Sequence, residues 1–242
     1  MIVDAVIPAR LGSTRFPGKA LARIAGKTMI ERVYRRVEKA DCFRRIIVAT
    51  DHESIFREVE DFGGLCRMTS AAHRSGTDRI HEAVTEDPPD AVVNIQGDEP
   101  LIQPRLISRV TRALLNRDAQ VITAAYASSS LQDFQSPHVV KVVFDGRRRA
   151  LYFSRSPVPW IDLNERNIVF FQHVGIYAMR IDALNRFVNT TPGPLEIRER
   201  LEQLRFLENG LSIHVVESEE PSHGVDVPED VVRIEALLRG DT

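Results

Sequence analysis

A basic loop near the start of the chain could bind a small anion. Residues 8–19, PARLGSTRFPGK, follow a short apolar run and include the three cations Arg10, Arg15 and Lys19, together with two glycines and two hydroxyl side chains. The backbone N–H groups of such a turn can surround phosphate oxygens, while arginine adds bidentate contacts and lysine a mobile point charge. We predict that the loop binds a polyphosphate. The alternative is a solvated basic turn.

The loop does not match either common nucleotide-binding pattern. The two glycines of a Walker A motif are five positions apart, but Gly12 and Gly18 are six positions apart, and Ala20 stands where the motif needs a hydroxyl. The dinucleotide fingerprint G-x-G-x-x-G is also missing, which disfavours a dehydrogenase. No nucleophile elbow or histidine-rich zinc spacing stands out, so covalent and zinc chemistry are disfavoured as well.

Two aspartates are candidates for binding a hard cation. Asp98 follows the apolar run 91–95 on a turn that contains Gly97, and Asp226 precedes a Val-Pro-Glu sequence that begins a predicted helix. Mg²⁺ is usually held by one or two carboxylates together with substrate phosphates and water. Asp98 could equally be a simple turn residue, and the position of Asp226 suits a helix N-cap as well as a metal ligand.

Each of several further polar residues could be either a binding residue or an ordinary structural or surface residue. Alternation along the strand-like run 168–179 places His173, Gly175 and Tyr177 on one face, with the two polar side chains about 13 Å apart. A sugar acid could lie over that gap, but both residues are also common structural residues of sheets. Four other polar side chains are ambiguous in the same way, because a solvated or salt-linked surface would explain them equally well: Arg74, Arg155, Glu202 and Gln203.

Short apolar segments alternate with helix-like segments in the first half of the chain. The predicted strands are 2–7, 46–49, 91–95 and 120–125, and the predicted helices are 28–40, 53–62, 78–86 and 104–116. Capping-box spacing places Thr28 and Thr50 at helix starts. This order is typical of a doubly wound, mostly parallel α/β sheet.

The second half of the chain has a different order of predicted elements. A hairpin is predicted around Asp145-Gly146, and helices are predicted over 194–209, ended by Gly210, and over 228–238, with a strand at 212–216 between them. Without an internal repeat or a linker, we expect one domain, 1–242, with an inserted β-rich lobe at roughly 138–180.

Composition narrows the possible partners and location. The chain has 242 residues and 32 basic against 34 acidic side chains, a net charge of −2 that gives no reason to expect a nucleic-acid partner. Its two cysteines show no metal or redox spacing, which suits a reducing compartment. No signal peptide and no apolar run of about 20 residues is evident. We therefore expect a soluble cytoplasmic protein with no membrane partner.

Taken together, these segments resemble the CMP-Kdo synthetase family, the 3-deoxy-manno-octulosonate (Kdo) cytidylyltransferases of Gram-negative lipopolysaccharide assembly. The strings that carry the resemblance occur in the family's order from residue 7 to the last helix: IPARLGSTRFPGK, IIVATD, HRSGTDR, NIQGDEP, VKVVFD, ALYFSRSPVPW, HVGIYAMR, LEQLRFLENG and HGVDVPED. Two positions depart from the family, which often has proline where this chain has Ala20 and Thr28. Neither change touches a charged or ligating group.

The resemblance implies a set of site residues. Arg10, Arg15, Lys19 and Asp98 would be catalytic. The nucleotide would be bound by Ala9, Arg10, Ser13, Arg15, Lys19, Arg74, Ser75 and Asp98, with Ser75 and its neighbours near the cytosine. The sugar acid would be bound by Gln96, Arg155, His173, Tyr177, Glu202 and Gln203. Asp98 and Asp226 would hold Mg²⁺.

The reaction that the resemblance implies is CTP + Kdo → CMP-Kdo + pyrophosphate, in a nucleotide-binding α/β domain whose smaller lobe forms a homodimer. We expect in-line attack of the anomeric hydroxyl on the α-phosphorus, with cations neutralising the departing pyrophosphate. The alternatives are a cytidylyltransferase for a related acid, such as 8-amino-Kdo or a sialic acid, and a CTP-binding module without activity.

Overall fold

The structure, a computed structural model, describes residues 1–12, 15–73, 75–116, 119–162 and 168–240. The chain divides into two compact units. Unit 1 comprises Met1–Ser108 and Ser222–Thr242, and unit 2 comprises Arg109–Pro221. Both are built from helices and β-strands, which confirms the predicted mixed α/β class with a mostly parallel central sheet. How the chain divides into folding domains, including the predicted lobe at 138–180, stays a prediction.

Unit 1 is organised around a parallel sheet. Its strands are β1 (Val3–Ala9), β2 (Arg23–Ile24), β3 (Lys27–Thr28), β4 (Arg45–Thr50), β5 (Leu65–Met68) and β6 (Ala91–Ile95). The parallel strands lie in the order β6-β1-β4-β5, and β2 and β3 form a separate small hairpin. Strand β6 is buried along its whole length and is apolar apart from Asn94, as expected when helices cover both faces of a parallel sheet.

The first four helices are α1 (Met29–Glu38), α2 (Glu53–Asp61), α3 (Gly76–Val84) and α4 (Pro104–Asn116), and a 3₁₀ turn spans Lys19–Leu21. The residues at the starts of α1 and α2 test the two predicted N-caps. Thr28 caps α1, since its hydroxyl accepts a hydrogen bond from the Glu31 N–H. Thr50 does not cap α2. The α2 cap is His52, whose ring accepts from the Ser54 N–H, because Thr50 is still part of strand β4.

Unit 2 contains a mixed sheet. Its strands are β7 (Val121–Ser128), β8 (Lys141–Phe144), β9 (Ala150–Ser154), β10 (Phe170–Arg180) and β11 (Ile213–Ser218). Strand β11 is parallel to β7, whereas β10 is antiparallel to both β7 and β8. The predicted hairpin around Asp145 is confirmed by the antiparallel pairing of β8 with β9.

The helices of unit 2 are α5 (Leu131–Gln135), α6 (Ile181–Val188), α7 (Pro194–Glu199) and α8 (Gln203–Glu208). The single predicted helix over 194–209 is wrong: the chain turns at Arg200, which has a left-handed φ of 56°. The turn allows Arg205 to form a bidentate ion pair with buried Glu196, at 2.6 and 2.7 Å. On one continuous helix these residues would be about 13 Å apart along the axis.

The chain returns to unit 1 and ends in helix α9 (Pro228–Arg239). Val227 occupies the N-cap position, and Asp230 accepts hydrogen bonds from the Asp226 and Val227 N–H groups. The capping alternative for Asp226 is therefore wrong, and its carboxylate is available for other partners. Within the described ranges, no helix is long and apolar enough to cross a membrane.

Candidate active site

Three charged side chains from distant parts of the sequence meet in unit 1. The Lys19 ammonium nitrogen lies 2.6 Å from an Asp98 carboxylate oxygen and 3.9 Å from an Asp226 carboxylate oxygen. It also donates to the Val225 carbonyl at 2.9 Å. Lys19 and Asp98 are mostly covered, while Asp226 is nearly half exposed. The two aspartates predicted from sequence are thus brought to one point, with the predicted lysine between them.

The turn after β6 places Asp98 beside the basic loop. A Cβ added to Gly97 would lie 3.0 Å from the Pro8 carbonyl oxygen, so the turn approaches the end of β1 more closely than a side chain would allow. The Val225 N–H donates to the Asp98 carbonyl at 2.9 Å. These contacts are local to the carboxyl ends of β1 and β6, where ligands bind in open α/β sheets.

An apolar cluster holds the segment that carries Asp226. Val225 is buried together with Ile24, Met29 and Ile234, so the residue before Asp226 is anchored between the β2–β3 hairpin and the helices α1 and α9. Burying such side chains stabilises each by about 1.5–3 kcal/mol. The cluster explains how a residue more than one hundred positions from Asp98 in sequence reaches the same site.

The loop arginines have different partners. Arg15 forms a bidentate pair with Asp226, at 3.0 and 3.1 Å, and about half of each side chain is exposed. Exposed pairs of this kind contribute little to stability and are readily exchanged for another anion. Arg10 instead donates to the carbonyls of His73 and Ser75, at 2.9 and 3.0 Å. Arg10 therefore ties the basic loop to the start of helix α3.

Ser75 is the N-cap of helix α3. Its hydroxyl accepts from the Asp78 N–H at 3.0 Å and donates to the Asp78 carboxylate at 2.8 Å. Ala9, the last residue of β1, is buried. Two further residues of the predicted nucleotide site, Ser13 and Arg74, lie outside the described residues. The rest of that predicted set is gathered around the ends of β1 and β6 and the start of α3.

Glu99 belongs to the same cluster and was missed by the sequence analysis. Its carboxylate is buried and accepts a hydrogen bond from the Ser222 hydroxyl at 2.5 Å. Burial, the dominant cause, and the neighbouring carboxylates of Asp98 and Asp226 raise the pKa of Glu99 to about 7. Ser222 is where the chain re-enters unit 1. The adjacent acids in NIQGDEP were the available signal, but sequence does not show that the second one turns inward.

In unit 2, His173 and Tyr177 form one cluster instead of flanking a gap. Their ring centroids are 5.3 Å apart, so the predicted separation of about 13 Å is wrong. The cause is a bulge in β10: His173 pairs with Ala125 and Tyr177 with Thr123, residues only two positions apart on β7. A bulge of this kind shortens the distance that two side chains span along a strand.

The side chains of His173 and Tyr177 are both electrically neutral near pH 7. Burial lowers the pKa of His173 to about 3. Burial and the Glu202 carboxylate raise the pKa of Tyr177 well above its usual value. The Nε2 of His173 contacts the Thr123 hydroxyl at 3.0 Å. Glu202 therefore acts electrostatically on Tyr177, while Gln203, the first residue of α8, is buried.

Arg155 is fixed by a second group in unit 2. The Glu199 carboxylate accepts from the Arg155 N–H at 2.9 Å and from the Ser154 hydroxyl at 2.7 Å. The Arg155 guanidinium donates to the carbonyls of Glu199 and Pro137, at 2.9 and 3.0 Å. Three of a guanidinium's five N–H groups are not used by these bonds. Gln96, the remaining residue of the predicted sugar set, is an exposed residue of unit 1 directly after β6.

Lys141 also supports Arg155 and was missed by the sequence analysis. The lysine is fully buried, and its ammonium donates to three carbonyls: Arg155 at 2.6 Å, Val139 at 2.7 Å and Ser136 at 2.9 Å. Desolvation, followed by repulsion from Arg155, lowers the pKa of Lys141. Three carbonyl acceptors satisfy all the donors of an ammonium group, which explains how a charge is kept in the interior.

Comparison with known proteins identifies the family of the chain. The sequence profile described as "Cytidylyltransferase" matches residues 5–213. The chain belongs to the cytidylyltransferase family. The 3-deoxy-manno-octulosonate cytidylyltransferase of Syntrophotalea carbinolica is 48% identical over 250 residues, covering 99% of this chain and 100% of the relative. That of Geobacter metallireducens is 48% identical over 246 residues, covering 97% of this chain and 96% of the relative.

Solved structures agree with this assignment. A CMP:2-keto-3-deoxy-manno-octonic acid synthetase complexed with CTP matches with a TM-score of 0.93 at 38% identity, over 100% of both chains. A cytidylyltransferase from Leptospira borgpetersenii has a TM-score of 0.68 at 18% identity, covering 99% of this chain and 87% of the other, and shows the fold alone. The predicted fold and the predicted resemblance to Kdo cytidylyltransferases are both confirmed.

Proposed function

We propose that this cytidylyltransferase activates 3-deoxy-manno-octulosonate with CTP, giving CMP-Kdo and pyrophosphate. The observation that carries the proposal is the Lys19 ammonium placed between Asp98 and Asp226 at the carboxyl ends of the parallel strands. Its relatives of the same length bear the name of this activity. Following the family resemblance, the activated sugar would serve lipopolysaccharide assembly.

The cations of unit 1 would bind the triphosphate. Lys19 and Arg15 form ion pairs with partly exposed aspartates, and phosphate oxygens can replace those partners. Negative charge grows on the non-bridging oxygens and on the departing pyrophosphate during in-line attack, so cations that contact these atoms accelerate the reaction. Arg10 would shape the nucleotide site through its bonds to His73 and Ser75.

Asp98 and Asp226 would hold Mg²⁺. In the described parts of the chain, no group of three or more histidine, cysteine or acidic side chains is arranged to hold a metal ion. Two carboxylates still fit Mg²⁺, because this ion takes hard oxygen ligands and completes its coordination with phosphate and water. Both carboxylates lie within 3.9 Å of one Lys19 nitrogen, so they are close enough to share one cation. When bound, Mg²⁺ would supply Lewis-acid stabilisation of phosphate charge.

Residues of unit 2 would recognise the sugar acid. Arg155 has the charge and planar donor geometry that bind a carboxylate, while neutral His173 and Tyr177 and the amide of Gln203 suit hydroxyl groups. Glu202 completes the proposed set in unit 2. A cation for the acid and neutral groups for the hydroxyls match the chemistry of an acidic octose.

We further propose that the protein is a cytoplasmic homodimer. Several large apolar side chains of unit 2 are exposed, above all Trp160 at 85%, with Leu151 at 61% and Val169 at 57%. Exposed apolar side chains of this size are typical of surfaces that bind another chain, and all three lie within the β-rich lobe at 138–180 that is predicted to dimerise. Light scattering on the purified protein tests this directly. A monomer at micromolar concentration would contradict it.

The reaction is tested by a coupled pyrophosphate assay. Each nucleoside triphosphate is combined with Kdo, 8-amino-Kdo or a sialic acid, with and without Mg²⁺, and Asp98→Asn serves as the active-site control. We expect release only with CTP and Mg²⁺, fastest with Kdo, and lower by about 100- to 1,000-fold in the variant. Faster release with another sugar acid would change the assigned substrate. Binding of CTP without any release would show a non-catalytic module.

A further inference from the structure

Thr123 lies at the centre of the His173 and Tyr177 cluster without having been assigned a role. It is a fully buried residue of strand β7. Its hydroxyl donates to the Ile176 carbonyl at 2.8 Å and also contacts His173 Nε2 at 3.0 Å. The Tyr177 hydroxyl is a third hydrogen-bonding partner of the same group. One hydroxyl thus joins both rings that are proposed to face the sugar.

Counting protons fixes the direction of each bond. A backbone carbonyl can only accept, so the single hydrogen of the Thr123 hydroxyl goes to Ile176. The contact with His173 must therefore use hydrogen supplied by Nε2. A neutral imidazole carries one N–H, so Nδ1 is left as an acceptor. With its hydrogen given to Ile176, the Thr123 oxygen can accept from the neutral Tyr177 hydroxyl, whose own lone pairs then remain available.

The bulge in β10 makes this arrangement possible. Between Val174 and Tyr177 the register shifts against β7, and the Ile176 carbonyl accepts from the Thr123 hydroxyl. The same shift brings the rings of His173 and Tyr177 together beside the threonine. A bulge that re-aims side chains beside a site is a recurrent feature of sheets. Here the bulge allows the Thr123 hydroxyl to form hydrogen bonds with both rings.

We propose that Thr123 is a positioning residue that holds His173 as the Nε2–H tautomer and orients the Tyr177 hydroxyl, so that both rings present acceptors to hydroxyl groups of the sugar acid. The role in sugar binding rests on the proposed function, whereas the tautomer does not. Acceptors bind hydroxyl hydrogens and repel a carboxylate, which leaves the acid group of the substrate to a cation such as Arg155. The cluster would therefore fix which end of the sugar lies over it.

The first test needs no substrate. Protein labelled with ¹⁵N-histidine is examined by NMR near pH 7, and the His173 signals are assigned by their loss in His173→Gln. We expect Nε2 to be protonated and Nδ1 unprotonated, and we expect the tautomer mixture to change in Thr123→Val. A protonated Nδ1 in the unmodified protein would overturn the proposal, whatever the enzyme's activity.

The second test separates positioning from packing. Valine has nearly the shape of threonine but lacks the hydroxyl, whereas serine keeps it. We expect Thr123→Val to raise the KM for Kdo about ten-fold while the KM for CTP stays unchanged, and Thr123→Ser to restore most of the loss. Thr111→Val, at a buried threonine of helix α4, is the matched control and should leave both constants unchanged.

Three results would contradict the role in binding. One is a Thr123→Val enzyme with an unaltered KM for Kdo, and another is an equal rise in both KM values, which would indicate general loosening. The third is a serine variant as impaired as the valine variant, since the hydroxyl would then not matter. If the unmodified enzyme released no pyrophosphate from CTP and Kdo, the proposed function would fail while the NMR result still stood.

Discussion

The two units hold their charged side chains in opposite ways. In unit 1, Lys19 and Arg15 are paired with aspartates by side-chain contacts that remain partly exposed. In unit 2, Lys141 and Arg155 are bound mainly to backbone carbonyls, and Lys141 is fully buried. Partly exposed ion pairs are weak and can exchange partners, whereas a buried ammonium with three carbonyl acceptors is held in one position, because leaving them would cost free energy.

The difference corresponds to two tasks of a nucleotidyl transfer. Cations that meet a triphosphate and then release pyrophosphate must change partners in every cycle, which suits the pairs around Asp98 and Asp226. A group that recognises one end of a sugar gains from being held in place beforehand, because binding then costs less ordering. On this view unit 1 carries the side chains that move and unit 2 those that stay fixed.

The largest expected effect is at Lys19. Lys19→Ala should lower kcat by about 100- to 1,000-fold, because the cation that contacts developing phosphate charge is lost. Its effect on the free energy of unfolding should be smaller than that at fully buried Lys141, since the pair with Asp98 keeps some contact with solvent. Steady-state kinetics and chemical denaturation measure the two quantities. Lys39→Ala, at an exposed lysine that ends helix α1, is the control.

A different result at Lys19 would contradict the comparison between the units. If Lys19→Ala changed only the KM for the sugar acid, the basic loop would be wrongly assigned to the triphosphate. If it unfolded the protein, the lysine would be as fixed a part of the structure as Lys141.

A smaller and more selective effect is expected at Lys141. Lys141→Met keeps the length of the side chain but leaves three carbonyls without their donor, including that of Arg155. We expect the KM for Kdo to rise about ten-fold, the KM for CTP to stay constant and the free energy of unfolding to fall by a few kcal/mol. Kinetics at saturating CTP and denaturation by urea check these outcomes.

The control for Lys141 must lose stability without touching the sugar residues. Asp4→Asn serves this purpose, because Asp4 is fully buried and pairs with Arg44 and Arg45 at the opposite end of β1 from the site. If Asp4→Asn raised the KM for Kdo as much as Lys141→Met does, the effect at Lys141 would reflect stability alone.

A third effect is expected at Ser222, whose hydroxyl donates to buried Glu99. Ser222→Ala removes this link between the turn that carries Asp98 and the segment that carries Asp226. We expect the Mg²⁺ concentration for half-maximal activity to rise several-fold and the free energy of unfolding to fall by about 1 kcal/mol. Ser222→Thr keeps the hydroxyl and is the matched control. An unchanged Mg²⁺ requirement in Ser222→Ala would show that the link does not position the carboxylates.

The contrast between the two units also explains which parts of the fold and of the site could be predicted from the sequence. The parallel strands and the polar residues at their ends follow from apolar runs and from motifs such as NIQGDEP, so Asp98 and Lys19 could be predicted. Asp226 needed the resemblance, since its spacing equally suited a cap. The meeting of these residues depends on the packing of Val225, which local sequence does not encode.

Unit 2 was less predictable because its arrangement depends on breaks in regular structure. A strict two-residue alternation cannot show the bulge that joins His173 to Tyr177, and the helical periodicity of 194–209 hides the turn at Arg200. Lys141 looked like an ordinary strand residue, because the acceptors of its ammonium are backbone carbonyls that have no sequence signature. Only the fold shows that it supports Arg155.

The effect that is smallest near neutral pH concerns the dependence of stability on pH, and it arises at His173. Burial lowers the pKa of this residue to about 3, so the folded protein keeps it neutral while the unfolded chain protonates it below its ordinary pKa of 6.5. The unfolded state then binds more protons. The free energy of unfolding contributed by His173 is therefore complete above pH 6.5 and is lost as the pH falls towards 3, by at most about 1.4 kcal/mol per pH unit.

His173→Gln removes this titration and should flatten the pH dependence between 6.5 and 4. Urea denaturation of both proteins at several pH values gives the difference in slope, and His138→Gln, at an exposed histidine, is the control that should keep the slope of the unmodified protein. Equal slopes in the His173→Gln variant and the unmodified protein would mean that folding leaves the pKa of His173 at its ordinary value, so that the ring is charged in the folded protein below pH 6.5. Below that pH the imidazole would carry hydrogen on Nδ1, and unit 2 would then offer the sugar a second cation instead of a fixed, neutral acceptor.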